Sequence, residues 1–322
     1  MPHKRRPQIK KILPKTDVFI IFVVALTVYI VSTYRDYSFG WIKPLQKTEV
    51  QFLVSARPIP KSNFSNPQVS ARHIFVMDRA SKTVLWNNRA EEVIFPASTT
   101  KMMTALVALD AFSLDRQIEV TREYPLGQYV GFKQGDKLTV DQLLYALLIQ
   151  SGNDAAEILA ENFEGGRPAF IAAMNEKAKG LRLFKTHFVN PSGLDEYGQQ
   201  SSAIDLARLA DLAMEKYEFA KIVAMENAVI TTEGQDQYIV KNVNELLGKV
   251  SGVLGVKTGY TVGAGQSLVT LVNRDGHEVI LSVLGSDDRF SDTKKLIDWV
   301  YENFTWVVPD PHTQELPLGR KP

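Results

Sequence analysis

Apolar and polar positions change their period several times along this chain, and each change marks a different kind of element. The first pattern has no period at all. From Val18 to Tyr34 the run VFIIFVVALTVYIVSTY carries no charge and is interrupted only by Thr27, Ser32 and Thr33. A helix over it would reach roughly 25 Å at about 1.5 Å per residue, enough to cross a hydrocarbon core. A transmembrane anchor is therefore expected over 17–35. The stretch 36–70 follows with Pro44, Pro58, Pro60 and Pro67 and much Ser, Asn and Lys, and reads as a linker.

Alternation then sets in. HIFVMD at 73–78 reads as a strand, Arg79-Ala80-Ser81 as a turn and KTVLWN at 82–87 as the hairpin partner. After Phe95-Pro96-Ala97, residues Met102, Met103, Leu106, Val107 and Leu109 fall at helical spacing, so Ser98 stands at or just before a helix start. Helical periods continue over Thr139–Gln150, Asp154–Phe163, Pro168–Leu181 and Ala203–Lys216. Strand-like runs return at Ala228–Thr232, Gln237–Lys241, Gly255–Thr258, Ser267–Asn273 and Glu278–Leu284, and Asp292–Asn303 closes as a helix. Strands at both ends with helices between them predict an α+β fold: an antiparallel sheet flanked by helices, with a helical subdomain. This domain is expected over 71–306, and the proline-rich 307–322 as a disordered tail.

Charge orients the chain. Its formal net charge is +1, yet Lys4, Arg5, Arg6, Lys10, Lys11 and Lys15 sit together in 1–16 without an acidic residue, leaving 31 basic against 36 acidic side chains elsewhere. An acidic body argues against nucleic acid as a partner. A basic cytoplasmic stub before an apolar span puts residues 35–322 outside the cell membrane. A cleaved signal peptide would need a small-x-small site close behind the span, and Val54-Ser55-Ala56 lies about twenty residues too far along. The chain has no cysteine, which removes disulfides and thiol chemistry, and five histidines scattered without ligand spacing. No metal and no cofactor are expected.

Candidate chemistry lies in three short motifs: Ser98-Thr99-Thr100-Lys101, Ser151-Gly152-Asn153 and Lys257-Thr258-Gly259. Ser291-Asp292-Thr293-Lys294 repeats the first pattern without its neighbours, so it is the ordered trio that matters. A serine hydroxyl needs a base, and Lys101 stands one helical turn after Ser98. An ordinary lysine, titrating near ~10.4, would be protonated; burial, a helix N-terminus and a second cation such as Lys257 would lower it. Ser151 can relay a proton, and Asn153 offers a donor and an acceptor to a substrate amide. Lys257 and Thr258 suit a carboxylate, Gly259 admits a closely approaching chain, and the backbone N–H groups of Ser98 and Tyr260 suit an oxyanion. Taken singly, each motif has a plainer reading: an N-cap with a surface lysine, a C-cap followed by an N-cap, a strand entering a turn.

Together with Asn190-Pro191-Ser192-Gly193-Leu194 and GVKTGYT before Ala264-Gly265, the motifs resemble those of the serine D-Ala-D-Ala carboxypeptidases, the low-molecular-mass penicillin-binding proteins. The resemblance runs from about Ala71 to Phe304. It implies the penicillin-binding protein or β-lactamase-like transpeptidase fold, a peptidoglycan pentapeptide ending in D-Ala-D-Ala as substrate, and β-lactams as inhibitors. It also implies Ser98 as nucleophile, Lys101 as base, Ser151, Asn153 and Lys257 in the catalytic set, and Thr258 with Arg289 as carboxylate anchor. Arg289 rests on family position alone. Ser192 departs from the family's usual histidine, and the N-terminal span replaces the C-terminal anchoring helix of many relatives. Two alternatives stand beside this reading: a serine β-lactamase, for which no Glu-x-x-Leu-Asn lies between Ser151 and Lys257, and a non-catalytic peptidoglycan-binding protein.

Overall fold

The computed structural model describes residues 15–37, 55–62 and 65–309. The basic stub up to residue 14, the linker residues 38–54, 63 and 64, and the tail from residue 310 lie outside them. Two compact units divide at Leu53 and Val54.

The first unit contains α1 (Lys15–Tyr37), on which the side chains of Phe19, Phe22, Val28 and Tyr29 are exposed. Among the described residues no helix is long and apolar enough to cross a membrane.

The second unit opens with β1 (Arg57–Pro60), then β2 (His73–Asp78) and β3 (Val84–Asn88). A single 3-10 turn (Ala97–Thr100) leads into α2 (Lys101–Ala111). The two-stranded ribbon β4 (Gln117–Glu119) and β5 (Lys137–Thr139) precedes α3 (Val140–Leu148), α4 (Asn153–Glu161), α5 (Gly166–Gly180), α6 (Ala203–Ala213) and α7 (Tyr217–Val223). The hairpin β6 (Asn227–Thr231) and β7 (Gln237–Lys241) is followed by β8 (Val253–Thr261), β9 (Gly265–Arg274) and β10 (His277–Ser286), then α8 (Arg289–Asn303) and β11 (Phe304–Val307).

The main sheet is five-stranded and antiparallel, in the order β3-β2-β10-β9-β8. Its side chains alternate as a pleated strand requires. Phe75, Met77, Val269, Leu271, Ile280 and Leu284 join the core shared with α2–α7. Ile74, Val76, Leu268, Val272, Val279, Leu281 and Val283 face the other way, onto Leu296, Ile297 and Val300 of α8. The expected α+β architecture is thus the observed one.

Local chemistry sets the element ends. Thr139 and Gln142 form a capping box at the start of α3. Asp288 accepts the N–H groups of Phe290 and Ser291, which starts α8 at Arg289, three residues before the pattern predicted. The helical run expected over 203–216 breaks after Ala213, and α7 follows as a separate short helix holding Phe219, Ile222 and Val223 in the core.

The linker expectation for 36–70 needs correction. Arg57–Pro60 pairs with Phe304–Val307, Arg57 opposite Val307 and Pro60 opposite Phe304, so order begins before Ala71 and the last strand takes Val307 from the expected tail. Two prolines made β1 look like linker. A two-stranded edge ribbon tolerates them because the missing N–H groups need not pair. The ribbon is joined to the body by Trp306, whose indole donates to Asp78 Oδ1 at 2.7 Å and whose ring stacks on His277.

Candidate active site

Ser98 lies on the 3-10 turn, not at a capping position, and no side chain caps that turn. Its neighbour Ala97 has φ 49°, a left-handed conformation unusual for a residue with a Cβ, of the kind that gathers at functional sites. One turn on, Lys101 begins α2, and its side chain is wholly buried. The ammonium nitrogen reaches Ser98 Oγ at 2.9 Å, Asn153 Oδ1 at 2.6 Å and the Ser192 carbonyl at 2.6 Å. The surface-lysine reading of Lys101 is excluded by these contacts.

Burial dominates the electrostatics. It pushes Lys101 down to about 7, against the nearby carboxylates of Asp154 and Glu157, which oppose the shift. Lys257 is also buried and donates to Ser151 Oγ at 2.8 Å. Burial holds it well below the ordinary lysine range, and the positive charges of Lys101 and Arg289 press the same way. Burial is thus the chief cause of the low value of Lys101, ahead of the second cation that the sequence suggested.

Ser151 stands between α3 and α4 with φ 64°, again left-handed for a residue with a Cβ. Neither it nor Asn153 caps a helix; Asn153 is the first residue of α4 and its side chain turns inward. The Asn153 amide donates to the Leu126 carbonyl at 2.8 Å, which leaves its oxygen for Lys101. Gly127 approaches so closely that a Cβ there would lie 2.6 Å from the Asn153 amide nitrogen. Asp154 accepts the N–H groups of Val130 and Gly131, both at 2.9 Å, and fixes the same loop.

Lys257-Thr258-Gly259 lies inside β8, which extends to Thr261, rather than at the strand end expected. β8 is the edge of the sheet, and Gly259 meets the nucleophile turn. A Cβ on Gly259 would stand 3.0 Å from Ala97 Cβ and 3.2 Å from the Ser98 nitrogen. Ser98, Ser151, Thr258, Gly259, Tyr260 and Arg289 together line an open cleft of about 740 Å³. Arg289 enters from the start of α8 and donates through Nη1 to the Gly259 carbonyl at 3.0 Å. All nine residues singled out from sequence thus meet in one place. Among the described residues no cluster of acidic, histidine or cysteine side chains is suited to a metal ion.

Sequence reasoning gave no role to four contributors. The Ser192 carbonyl grips Lys101, Gly193 packs on the Ala97 carbonyl, Asp154 braces the Leu126–Gly131 loop, and Gln128 lines the cleft. Ser192 acts through its main chain, which no side-chain pattern reveals. Its hydroxyl only touches Asn190 Oδ1 at 3.3 Å, so the departure from histidine leaves the grip on Lys101 intact.

The arrangement can do one thing well: deprotonate a serine beside an edge strand and a cation. Residues 61–288 match the family described as D-alanyl-D-alanine carboxypeptidase. D-alanyl-D-alanine carboxypeptidase DacB2 of Mycobacterium tuberculosis is 35% identical over 250 residues, 74% of this chain and 85% of that one. DacF of Bacillus subtilis, also described as a D-alanyl-D-alanine carboxypeptidase, is 32% identical over 73% of this chain, which spans 63% of that relative's length. The crystal structure of the Streptomyces K15 DD-transpeptidase superposes with a TM-score of 0.70 at 32% identity, covering 74% of this chain and 100% of that one. With the motif residues gathered as described and the family match extending over most of the chain, this protein belongs to the D-alanyl-D-alanine carboxypeptidase family.

Proposed function

We propose that the protein is a serine D,D-carboxypeptidase that removes the terminal D-Ala from peptidoglycan stem peptides through an acyl-enzyme on Ser98. One observation carries this reading: a lysine shut off from water stands 2.9 Å from that serine's oxygen, with its titration brought down to about 7. A neutral Lys101 accepts the Ser98 proton along that contact as Oγ attacks the carbonyl between the two alanines. The developing oxyanion is received by the N–H groups of Ser98 and Tyr260. The proton that Lys101 takes up is relayed through Ser151, which Lys257 holds, to the departing amine, and Asn153 holds the peptide while anchoring Lys101. Thr258 and Arg289 bind the terminal carboxylate, and water then resolves the ester. β-Lactams, which present a strained amide with a carboxylate beside it, acylate the same serine.

Incubation of the purified chain with a fluorescent penicillin, with the adduct located by mass spectrometry, tests the mechanism; D-Ala release from a pentapeptide tests the substrate. The expected result is a stable adduct on Ser98 that Ser98→Ala abolishes. A well-folded protein that forms no adduct would favour a non-catalytic peptidoglycan-binding role, and nitrocefin turnover faster than adduct decay a β-lactamase. Likeness to a protein described as a DD-transpeptidase supports a second outcome for the same acyl-enzyme, transfer to an amine acceptor in place of water.

Attachment to the cell membrane through α1 belongs to the same reading. Although no helix is long and apolar enough over its described residues alone to cross a membrane, the uncharged run Val18–Tyr34, the exposed side chains of Phe19, Phe22 and Tyr29 and the six basic residues within 1–16 support a single span with the N-terminus in the cytoplasm. Retention of the chain in membranes after alkaline carbonate extraction is the expected result, and release by carbonate would refute it.

A further inference from the structure

Two of the walls that carry the site share no covalent connection nearby. One is the turn before α2 together with the loop 190–196, which supplies the Ser192 carbonyl. The other is the edge strand β8 with its turn into β9, which carries Gly259 and Tyr260. The loop is built rigidly onto the first wall. Thr104 donates to the Pro191 carbonyl at 2.6 Å, and Asn190 accepts Gly193 N–H at 2.8 Å and donates to the Leu194 carbonyl at 3.0 Å. A Cβ on Gly193 would fall 1.9 Å from the Ala97 carbonyl, which leaves the loop no room to shift toward Ser98.

From this loop Asp195 reaches the opposite wall with both carboxylate oxygens. Oδ1 accepts from the Thr261 hydroxyl at 2.7 Å and Oδ2 from Gly263 N–H at 2.9 Å. The Thr261 hydroxyl in turn accepts Ala264 N–H at 3.0 Å, so one side chain organises the whole β8–β9 turn. The turn is pressed down as well as bonded. A Cβ on Gly263 would be 2.8 Å from Asp195 Oδ2 and 2.8 Å from the ring of Phe95, three residues before the nucleophile. Tyr260, next to Thr261, is 63% exposed on the cleft, and Val262 at the tip is 93% exposed, so packing holds this end of the strand weakly. Charge-assisted hydrogen bonds take over the task.

We infer that Asp195 is a positioning residue for acylation: by tying the β8–β9 turn to the loop that grips Lys101, it sets the distance between the Gly259–Tyr260 backbone and Ser98. The inference rests on the acyl-enzyme reading above. Acyl transfer is steeply sensitive to such spacing, a displacement of about 1 Å costing on the order of 100-fold.

The test combines acylation kinetics with hydrogen exchange on the full chain and on Asp195→Ala, Asp195→Asn, Thr261→Val and the Asp195→Ala/Thr261→Val double variant. Asp195→Ala is expected to slow penicillin acylation of Ser98 about 10–100-fold. The concentration for half-saturation should stay within about two-fold, because an interaction felt in the transition state leaves ground-state binding alone. Asp195→Asn, which keeps one acceptor oxygen, should fall between, and the double variant should be no slower than Asp195→Ala, since both remove one link. Amide exchange at Gly263 and Ala264 should rise in Asp195→Ala. Unchanged acylation, additive losses in the double variant, or a pure binding defect would each overturn the inference. If Asp195→Ala does not fold, Thr261→Val carries the same comparison. If the wild-type chain takes no penicillin, the acyl-enzyme reading falls first; unchanged exchange at Gly263 would then overturn the clamp as well, and raised exchange would uphold it.

Discussion

Lys101 and Lys257 are both buried, and each is committed to a different serine, Lys101 to Ser98 at 2.9 Å and Lys257 to Ser151 at 2.8 Å. Two unpaired ammonium groups so close to each other in a low-dielectric interior repel, and burial penalises both charges. The fold resolves this by weakening the hold of both on their protons. A pair of bases results, each in reach of one hydroxyl.

Removing the first base should be severe. Lys101→Ala is expected to slow Ser98 acylation about 10²–10⁴-fold. Lys101→Arg should not rescue it, since a guanidinium stays protonated at any working pH. Time courses of penicillin adduct formation by mass spectrometry decide the matter, and an active arginine variant would remove Lys101 from the role of base.

The pH dependence follows from the same lysine. Acylation should rise as pH increases through about 7, where Lys101 loses its proton. Asp154 opposes the downward shift, so Asp154→Asn should move the midpoint to lower pH. Stability carries the matching sign. Between about 7 and the ordinary lysine value of 10.5 the unfolded chain binds a proton that the folded chain lacks, so Lys101 makes stability rise with pH across that window. Acylation rates and urea melts measured from pH 5.5 to 9 check both.

Lys257→Met should trade activity for stability. It removes a buried, poorly tolerated ammonium and fills the space with a flexible apolar chain, for a gain of roughly 0.5–2 kcal/mol, while acylation and D-Ala release collapse. Thermal melts beside activity assays test it; a destabilised variant would mean that the bond to Ser151 outweighs the burial cost.

Gly259→Ala should harm the site through space alone. Its Cβ would press on Ala97 and on the Ser98 nitrogen, and the turn must give way. A stability loss of about 1–3 kcal/mol and an acylation loss on the order of 10–100-fold are expected. Wild-type kinetics in this variant would show that the two walls have slack.

Ser192→Ala should do little. The group that matters is its carbonyl, at 2.6 Å from Lys101, and alanine keeps it. Acylation within about three-fold of wild type and a stability change below about 1.5 kcal/mol are expected, the worth of one weak hydrogen bond. A large loss would assign the hydroxyl a role that its 3.3 Å contact does not suggest.

Much of this protein is legible in its sequence because the relevant signals are local. A hydroxyl and an amine three residues apart on a helical turn meet whatever surrounds them, so Ser98 and Lys101 could be paired on sight. The alternation in β2, β9 and β10 and the helical periods between them expose the α+β plan in the same way. The order of the three motifs then points to the family. What the sequence could not decide depends on contacts between distant segments. Lys257 and Ser151 are 106 residues apart, Lys101 and the Ser192 carbonyl 91, and only packing brings them together. Burial, and with it the low titration of both lysines, is a property of that packing and not of any residue type. The arrival of Arg289 at Gly259, the pairing of Arg57–Pro60 with Phe304–Val307, and the grip of Asp195 on the β8–β9 turn are decided there too, since each joins segments that no local period connects.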